Sequence, residues 1–164
     1  MQQNLLDRID LAILDRLQRD GRMTNQALSE AVNLSPSACL ARVRALEKSG
    51  VIIGYHARVA AERIAPTIIV LAEVTLKSHH PEDFGRFEQA AAGIDEIVEV
   101  LELSGSFDYL LKIAVPDIQG WRALSDHLLA SPLGIDKITS HVLMKQSKAF
   151  TGFPIRHRDP RIVR

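Results

Sequence analysis

Small polar and basic side chains collect in one stretch in the first third of the sequence. Ser35 stands directly before Pro36, a pairing that starts a helix because serine caps free N–H groups and proline needs no hydrogen bond there. Cys39, Val43 and Leu46 share one face of this helix, and we expect them to face a core. The opposite face then presents short and basic residues to base edges and phosphates, which suits a nucleic-acid ligand.

Arg42 is the strongest candidate for a base contact on this helix, because a guanidinium that binds guanine with two hydrogen bonds contributes about 1–3 kcal/mol of discrimination. A solvated surface arginine is the alternative. Arg44 has a second possible partner in Glu47, and Arg22 lies in a loop where it either binds phosphate or is merely exposed. The full set of candidates for nucleic-acid contact is Ser35, Ser37, Ala38, Ala41, Arg42, Arg44, Lys48 and Arg22.

A second group with chemical potential is the turn Ser104-Gly105-Ser106, which is followed by Asp108. Glycine lets the backbone turn tightly and offer N–H groups to a carboxylate, and Asp108 is able to accept from an ammonium group. Together these groups suit a zwitterion. The same residue types are also common in β-hairpins that bind nothing, and the spacing alone favours that simpler interpretation.

Several classes of function lack their residues. The six histidines and the single cysteine, Cys39, have no metal-ligand spacing, so we expect no metal site and a packing role for the thiol. The glycines form neither a G-x-G-x-x-G nor a P-loop pattern. No Ser/His/Asp or Cys/His group is recognisable. The sequence therefore predicts a protein that is not an enzyme and has no cofactor.

Three short helices position the basic stretch. Asp7 is predicted to cap the first helix, Thr24 the second and Ser35 the third, with a tight turn at Asn33-Leu34 between the last two. This arrangement predicts a helix-turn-helix. Residues 51–59 follow as extended chain.

The periodicity changes in the remainder of the chain, where strand patterns alternate with two helical patterns. Asp117 is predicted to cap the second of these helices, and Trp121 to lie in the core. The order is β-α-β-β-α-β, a ferredoxin-like unit, so the fold class is α+β. The expected strands are 68–76, 97–103, 107–115 and 135–144, and the first helix spans 81–92.

Net charge is zero, but residues 1–60 carry a balance of +2 and residues 61–164 a balance of −2. A mildly basic N-terminal part fits a DNA-reading domain, although so small an asymmetry decides little. No apolar run is long enough to cross a membrane, the N-terminus lacks a signal-peptide core, and one cysteine suits a reducing compartment. We expect a cytoplasmic protein.

Three stretches together resemble the Lrp/AsnC, or feast/famine, family of regulators: residues 6–22 (LDRIDLAILDRLQRDGR), 34–55 (LSPSACLARVRALEKSGVIIGY) and 104–111 (SGSFDYLL). The resemblance runs from Leu6 to about Pro154. It implies a winged helix-turn-helix followed by an αβ-sandwich ligand domain. It also implies homodimers formed by sheets packed face to face, assembly into tetramers or octamers, and amino-acid effectors bound in clefts between dimers. Ala65-Pro66 departs from the family pattern at the linker.

With the resemblance, ligand contact becomes the favoured interpretation of the turn. The effector-contact candidates are Ser104, Gly105, Ser106, Phe107 and Asp108, with Ser140 and His141 from the last strand added for the same cleft. The expected domains are a winged helix-turn-helix at 1–60, a linker at 61–66, an effector-binding and oligomerisation domain at 67–153 and a tail at 154–164.

The function expected from these features is sequence-specific DNA binding by a transcription regulator that responds to an amino acid or a related metabolite. Its targets would be genes of amino-acid metabolism or transport. Two alternatives stay open: a small-molecule-binding subunit whose helical domain docks on a protein, and an architectural DNA binder. The sequence leaves open the effector, the operator, the sign of regulation and the oligomer size.

Overall fold

A computed structural model describes residues 6–155. The described chain forms two compact units: residues 6–58 pack together with residues 148–155, and Val59–Ser147 form the second unit. We call residues 6–58 with 148–155 the head, and Val59–Ser147 the sheet unit. From the sequence we expected a linker between the two units at residues 61–66 and a C-terminal tail that begins at residue 154. The C-terminal difference arises because residues 148–155 pack on the head.

The head contains three helices, each capped by the residue predicted from the sequence. Asp7 accepts from the N–H groups of Ile9 and Asp10, and the Asp10 carboxylate accepts from the N–H of Asp7, which completes a capping box. Thr24 and Ser35 accept hydrogen bonds in the same way. The helices are α1 (Arg8–Arg19), α2 (Asn25–Ala31) and α3 (Pro36–Lys48).

A small apolar cluster holds these helices together. Cys39 and Leu46 of α3 are buried, as the helical periodicity predicted, and burial raises the pKa of the Cys39 thiol. Asn33 adopts a left-handed backbone with φ of 55°, which makes the short turn between α2 and α3. Residues 51–60 form neither helix nor strand in this structure. The buried members of the cluster are Ile13, Leu14, Leu28, Cys39 and Leu46.

The C-terminal segment, residues 148–155, belongs to the head. The Gln18 side chain donates to the Phe153 carbonyl at 3.2 Å, and its Oε1 accepts from the Phe153 N–H at 2.7 Å. Gly152 has a φ of +115°, and a Cβ added there would lie 2.8 Å from the Gln18 side chain. Ile155 packs against the head cluster. Residues 156–164 of the predicted tail lie outside the described residues.

The sheet unit has the predicted β-α-β-β-α-β order after a short 3-10 turn at Ala61–Arg63. Its four strands are antiparallel and lie in the order β2-β3-β1-β4, which confirms the ferredoxin-like interpretation. Asp117 caps the second helix, as predicted. The elements are β1 (Ile68–Leu76), α4 (Pro81–Ala91), β2 (Ile97–Glu102), β3 (Tyr109–Val115), α5 (Ile118–Ala130) and β4 (Ile135–Val142).

The two faces of the sheet differ. One face packs against α4 and α5, which contribute Phe87 and Trp121 to a large buried cluster, and Trp121 lies in the core as expected. The other face carries no helix among the described elements and mixes apolar with charged residues. Leu71 on this face lies between Lys112 of β3 and His141 of β4. A sheet face that exposes apolar residues and carries no helix is a candidate for association.

Candidate nucleic-acid interface and effector turn

The outward face of α3 is polar, small and accessible. Ser37, Ala38 and Ala41 are exposed near its start, and Arg44 and Lys48 are exposed further along. In the part of the chain that the structure describes, neither Arg44 nor Lys48 forms an ion pair. These two cations therefore have no partner that a phosphate would have to displace.

The alternative partner for Arg44 is engaged elsewhere, because Glu47 accepts a hydrogen bond from the Tyr55 hydroxyl at 3.0 Å. Ser35 also has a structural task. Its hydroxyl accepts from the Ala38 N–H at 3.3 Å and lies 3.2 Å from the Ser37 hydroxyl. Ser37 is thus the freer of the two serines at the start of the helix.

Arg42 points to a different partner from the one that the sequence suggested. Its Nη1 lies 2.7 Å from Asp7 Oδ2 and 2.8 Å from Asp10 Oδ1, so the guanidinium joins α3 to the start of α1. The N–H of Asp10, with a contribution from Arg42, holds the pKa of Asp7 below its ordinary value against the effect of desolvation. To bind guanine with two hydrogen bonds, Arg42 would have to release these carboxylates or use only Nε and Nη2.

Arg22 lies in the turn between α1 and α2 and is exposed. Its backbone N–H donates to Asp20 Oδ1 at 2.9 Å, which orders the turn. Its side chain forms no ion pair with any residue in the range 6–155. It therefore remains free to bind phosphate.

The predicted effector turn joins β2 to β3 and is exposed at Ser104, Gly105 and Ser106, with Phe107 half-buried. Gly105 does not have a positive φ, so the backbone of this turn does not require glycine. A Cβ added at Gly105 would meet no atom within 4 Å. What glycine leaves at this position is open space above the backbone.

Asp108 has partners for both carboxylate oxygens. Oδ2 accepts from the Leu76 N–H at 2.7 Å, and Oδ1 lies 3.0 Å from His79 Nε2. The Asp108 backbone N–H also donates to the Val74 carbonyl at 2.9 Å. The side chain thus ties the turn to the end of β1. Contact between Asp108 and the amino group of an effector stays a prediction, and these partners would have to be shared or displaced.

His79 is a residue that sequence reasoning missed at this position. The His79-His80 pair was given no role because it lacks metal-ligand spacing, and nothing local connects His79 to Asp108, which lies 29 residues further along the chain. No group of three or more potential metal ligands occurs among the described residues. His79 stands 62% exposed beside the turn, with its ring 6.0 Å from that of Phe84.

Ser140 and His141 do not line one cleft together. They are neighbours on β4, so their side chains point to opposite faces of the sheet. The Ser140 hydroxyl accepts from the indole N–H of Trp121 at 3.2 Å on the helix-covered face. His141 Nε2 lies 3.2 Å from Glu73 Oε1 on the uncovered face. The structure gives neither residue a hydrogen bond to the turn.

Comparison with known proteins assigns the two units. Residues 6–53 match a family model described as winged helix-turn-helix DNA-binding, and residues 69–153 match one described as the Lrp/AsnC ligand binding domain. The leucine-responsive regulatory protein of Klebsiella pneumoniae is 40% identical over 153 residues, 93% of each chain. The transcriptional regulatory protein DoeX of Halomonas elongata is 41% identical over 143 residues, 87% of this chain and 90% of its own.

Solved structures agree with this assignment. A transcriptional regulator from Neisseria meningitidis, crystallised as an L-Met complex, superposes with a TM-score of 0.85 at 31% identity, covering 93% of this chain and 98% of its own. An AsnC family regulator from Agrobacterium tumefaciens gives 0.84 at 31% identity, with 93% and 99% covered. None of the helices described here is long and apolar enough to span a membrane. By its domain order, sequence identity and fold, the chain belongs to the Lrp/AsnC family of DNA-binding transcription regulators with an amino-acid-binding domain.

Proposed function

We propose that α3 of the head reads an operator and that an amino acid, bound at the turn of residues 104–107, changes the affinity for that operator. The observation that carries the proposal is the outward face of α3, where small residues leave room for the groove and cations have no partner in the described chain. Affinity should fall steeply with salt, because phosphate neutralisation releases counterions.

The contact residues follow from the geometry rather than from residue type alone. Ser37, Ala38 and Ala41 approach the bases, where the alanines accommodate the backbone or a thymine methyl. Arg44 and Lys48 bind phosphate, and Arg22 does so from its loop. Each phosphate contact that is removed should lower the slope of log affinity against log salt by about 0.9. Ser35 serves as a helix cap, and Arg42 links α3 to Asp7 and Asp10 at the start of α1.

The effector site is proposed on the backbone of the turn. The exposed backbone of residues 104–106, with open space at Gly105, is the proposed site for a carboxylate, and the exposed His79 lies beside the Asp108 carboxylate. The ligand class follows from the family domain, and the related Neisseria regulator was solved with L-Met. Ser140 and His141 are left out of this site because of the partners that they already have.

We infer that two copies of the chain associate through the uncovered face of the sheet, and that such dimers form tetramers or octamers. Support comes from the apolar residues on that face, Leu71, Leu101 and Leu110 among them. An effector could then change DNA binding by favouring one assembly over another. Genes of amino-acid metabolism or transport are the proposed targets, and the cytoplasm is the proposed location of the protein.

A thermal-shift screen against the amino acids and common keto acids tests the effector proposal. A ligand present at about 100 times its dissociation constant should stabilise the protein by roughly 2.7 kcal/mol. For each compound that shifts the unfolding midpoint, the affinity of the protein for DNA is then measured at increasing compound concentrations. The measurement is fluorescence anisotropy on the DNA fragment upstream of the gene that encodes this protein. The proposal requires at least one compound that changes both.

Gly105→Ala locates the site. The added methyl meets no protein atom within 4 Å and Gly105 has no positive φ, so the fold should be unaffected. We expect at least tenfold weaker effector binding because the methyl occupies the space of the ligand. Gly85→Ala is the matched control, since a Cβ at Gly85 also meets nothing within 4 Å. Equal affinity of both variants for the effector would place the ligand elsewhere.

A further inference from the structure

The link between Arg42 and the start of α1 forms a closed network. Asp7 Oδ1 accepts from two backbone N–H groups, those of Ile9 and Asp10, at 2.8 Å each. Asp10 Oδ2 accepts from the Asp7 N–H at 3.0 Å. The two remaining oxygens, one on each carboxylate, both receive the same Nη1 of Arg42. Every carboxylate oxygen in the network is therefore used, and Arg42 serves two of them.

The position of the network gives it a consequence for DNA binding. Arg42 follows Ala41 directly and lies one helical turn after Ala38, two residues of the outward face. It is 34% exposed, and the Asp10 side chain is only 17% exposed. Two carboxylates thus stand at the edge of the face that meets phosphate. Their pairing with Arg42 partly neutralises them and fixes α3 on α1 at the same time.

We propose that Arg42 is a positioning residue, which holds the recognition helix at the orientation needed for base reading by bridging Asp7 and Asp10, and does not itself contact DNA. The proposal rests on the function proposed above, in which α3 enters the groove. It also reverses the role that residue type and helix position suggest for Arg42.

The two roles predict opposite signs for one variant. Asp7→Asn with Asp10→Asn keeps side chains able to cap the helix but removes the charges that hold Arg42. If Arg42 positions α3, the double variant should bind operator at least fivefold more weakly than the original chain. If Arg42 contacts DNA directly, freeing the guanidinium and removing two negative charges should leave affinity unchanged or increase it.

The measurement is fluorescence anisotropy of the full chain on a duplex selected from a random pool, compared with an unselected duplex. We expect Arg42→Ala to lose about as much operator affinity as the double variant, and the triple variant to lose no more than either. The slope of affinity against salt should stay unchanged for Arg42→Ala. Arg44→Ala is the matched control, and its slope should fall by about 0.9.

A purely stabilising role has a different signature. It would lower the thermal midpoint of the Arg42 variants while the folded protein kept its preference for the selected duplex over the unselected one. Positioning requires that this preference fall, and that Arg42→Lys restore part of it because an ammonium can still pair with a carboxylate. A reduced salt slope for Arg42→Ala, or undiminished affinity of the double variant, would overturn the inference. Absence of DNA binding by the original chain would overturn the proposed function itself.

Discussion

The head and the sheet unit are stabilised by different balances of interactions. The sheet unit buries one large cluster drawn from β1, β3, β4, α4 and α5, and its strands are further tied by ladder hydrogen bonds. The head buries a cluster of five apolar residues completely or nearly so, within the part of the chain described. It adds polar links between distant segments, from Arg42 to Asp7 and from Gln18 to Phe153. A small domain buries little apolar surface, so polar contacts between distant segments contribute more to its stability. Single substitutions at these contacts should therefore change the positions of its helices.

The largest effect should follow from a cavity in the head cluster. Ile13 is fully buried, so Ile13→Ala should cost about 2–5 kcal/mol of head stability. Trp121 lies in the sheet unit and is the single tryptophan of the sequence, so its fluorescence reports on that unit alone. We expect circular dichroism to show early loss of helix while the fluorescence midpoint stays in place.

Leu111→Ala is the control for that comparison, because Leu111 is fully buried in the sheet unit. It should shift the fluorescence midpoint by a similar free energy. A common shift of both signals in the Ile13 variant would contradict the separation of the two units.

A smaller loss of head stability should follow from Gly152→Ala. The new side chain would need an unfavourable positive φ and would lie 2.8 Å from Gln18, so we expect a cost of about 1–3 kcal/mol. Chemical denaturation followed by circular dichroism measures it. In a Gln18→Gly background all three colliding atoms, Cβ, Cδ and Oε1, are absent, and the cost of Gly152→Ala should be smaller by a double-mutant cycle. Equal costs in both backgrounds would mean that the C-terminal segment does not pack on α1.

Helix caps should matter equally in the two regions, because a cap is a local interaction. Ser35 caps α3 of the head and Asp117 caps α5 of the sheet unit. Replacement of either by alanine should cost about 1 kcal/mol. Denaturation by urea, monitored by circular dichroism for the first variant and by Trp121 fluorescence for the second, checks the pair. A loss confined to one of the two would show that α3 or α5 is held by other contacts.

The smallest effect concerns pH and Asp7. The pKa of Asp7 is lower in the folded head than in the unfolded chain. Its charged form therefore stabilises the head at any pH above the unfolded pKa. This stabilisation is lost as pH falls through the folded pKa. The carboxylate is half exposed, which limits the contribution to about 0.5 kcal/mol. Wild type should be slightly more stable than Asp7→Asn at pH 6, and the difference should disappear in acid titrations as pH falls through the folded pKa of Asp7. A difference independent of pH would contradict this account.

Sequence reasoning succeeded where the signal is local. The caps at Asp7, Thr24, Ser35 and Asp117 depend on residues within three positions, and strand periodicity identified the four strands. The order of strands followed from the recognised β-α-β-β-α-β pattern.

It failed where two distant segments share one side chain. Arg42 lies 35 residues from Asp7, and His79 lies 29 residues from Asp108. No local pattern reveals that these charges are already paired, so the sequence assigned Arg42 to DNA from its residue type and helix position, and Asp108 to an effector from the family resemblance, without these partners. The contact between Gln18 and Phe153, which are 135 residues apart, was not predicted for the same reason.

Hydrogen–deuterium exchange of the full chain, with operator DNA alone and with the effector alone, tests the central claim most directly. Because each ligand is assigned to its own region, DNA should slow exchange in α3 and around Arg22, and the effector should slow it at residues 104–108 and in the loop at His79. Slowed exchange at the turn alone on addition of DNA, or in α3 alone on addition of the effector, would contradict the assignment of the two sites.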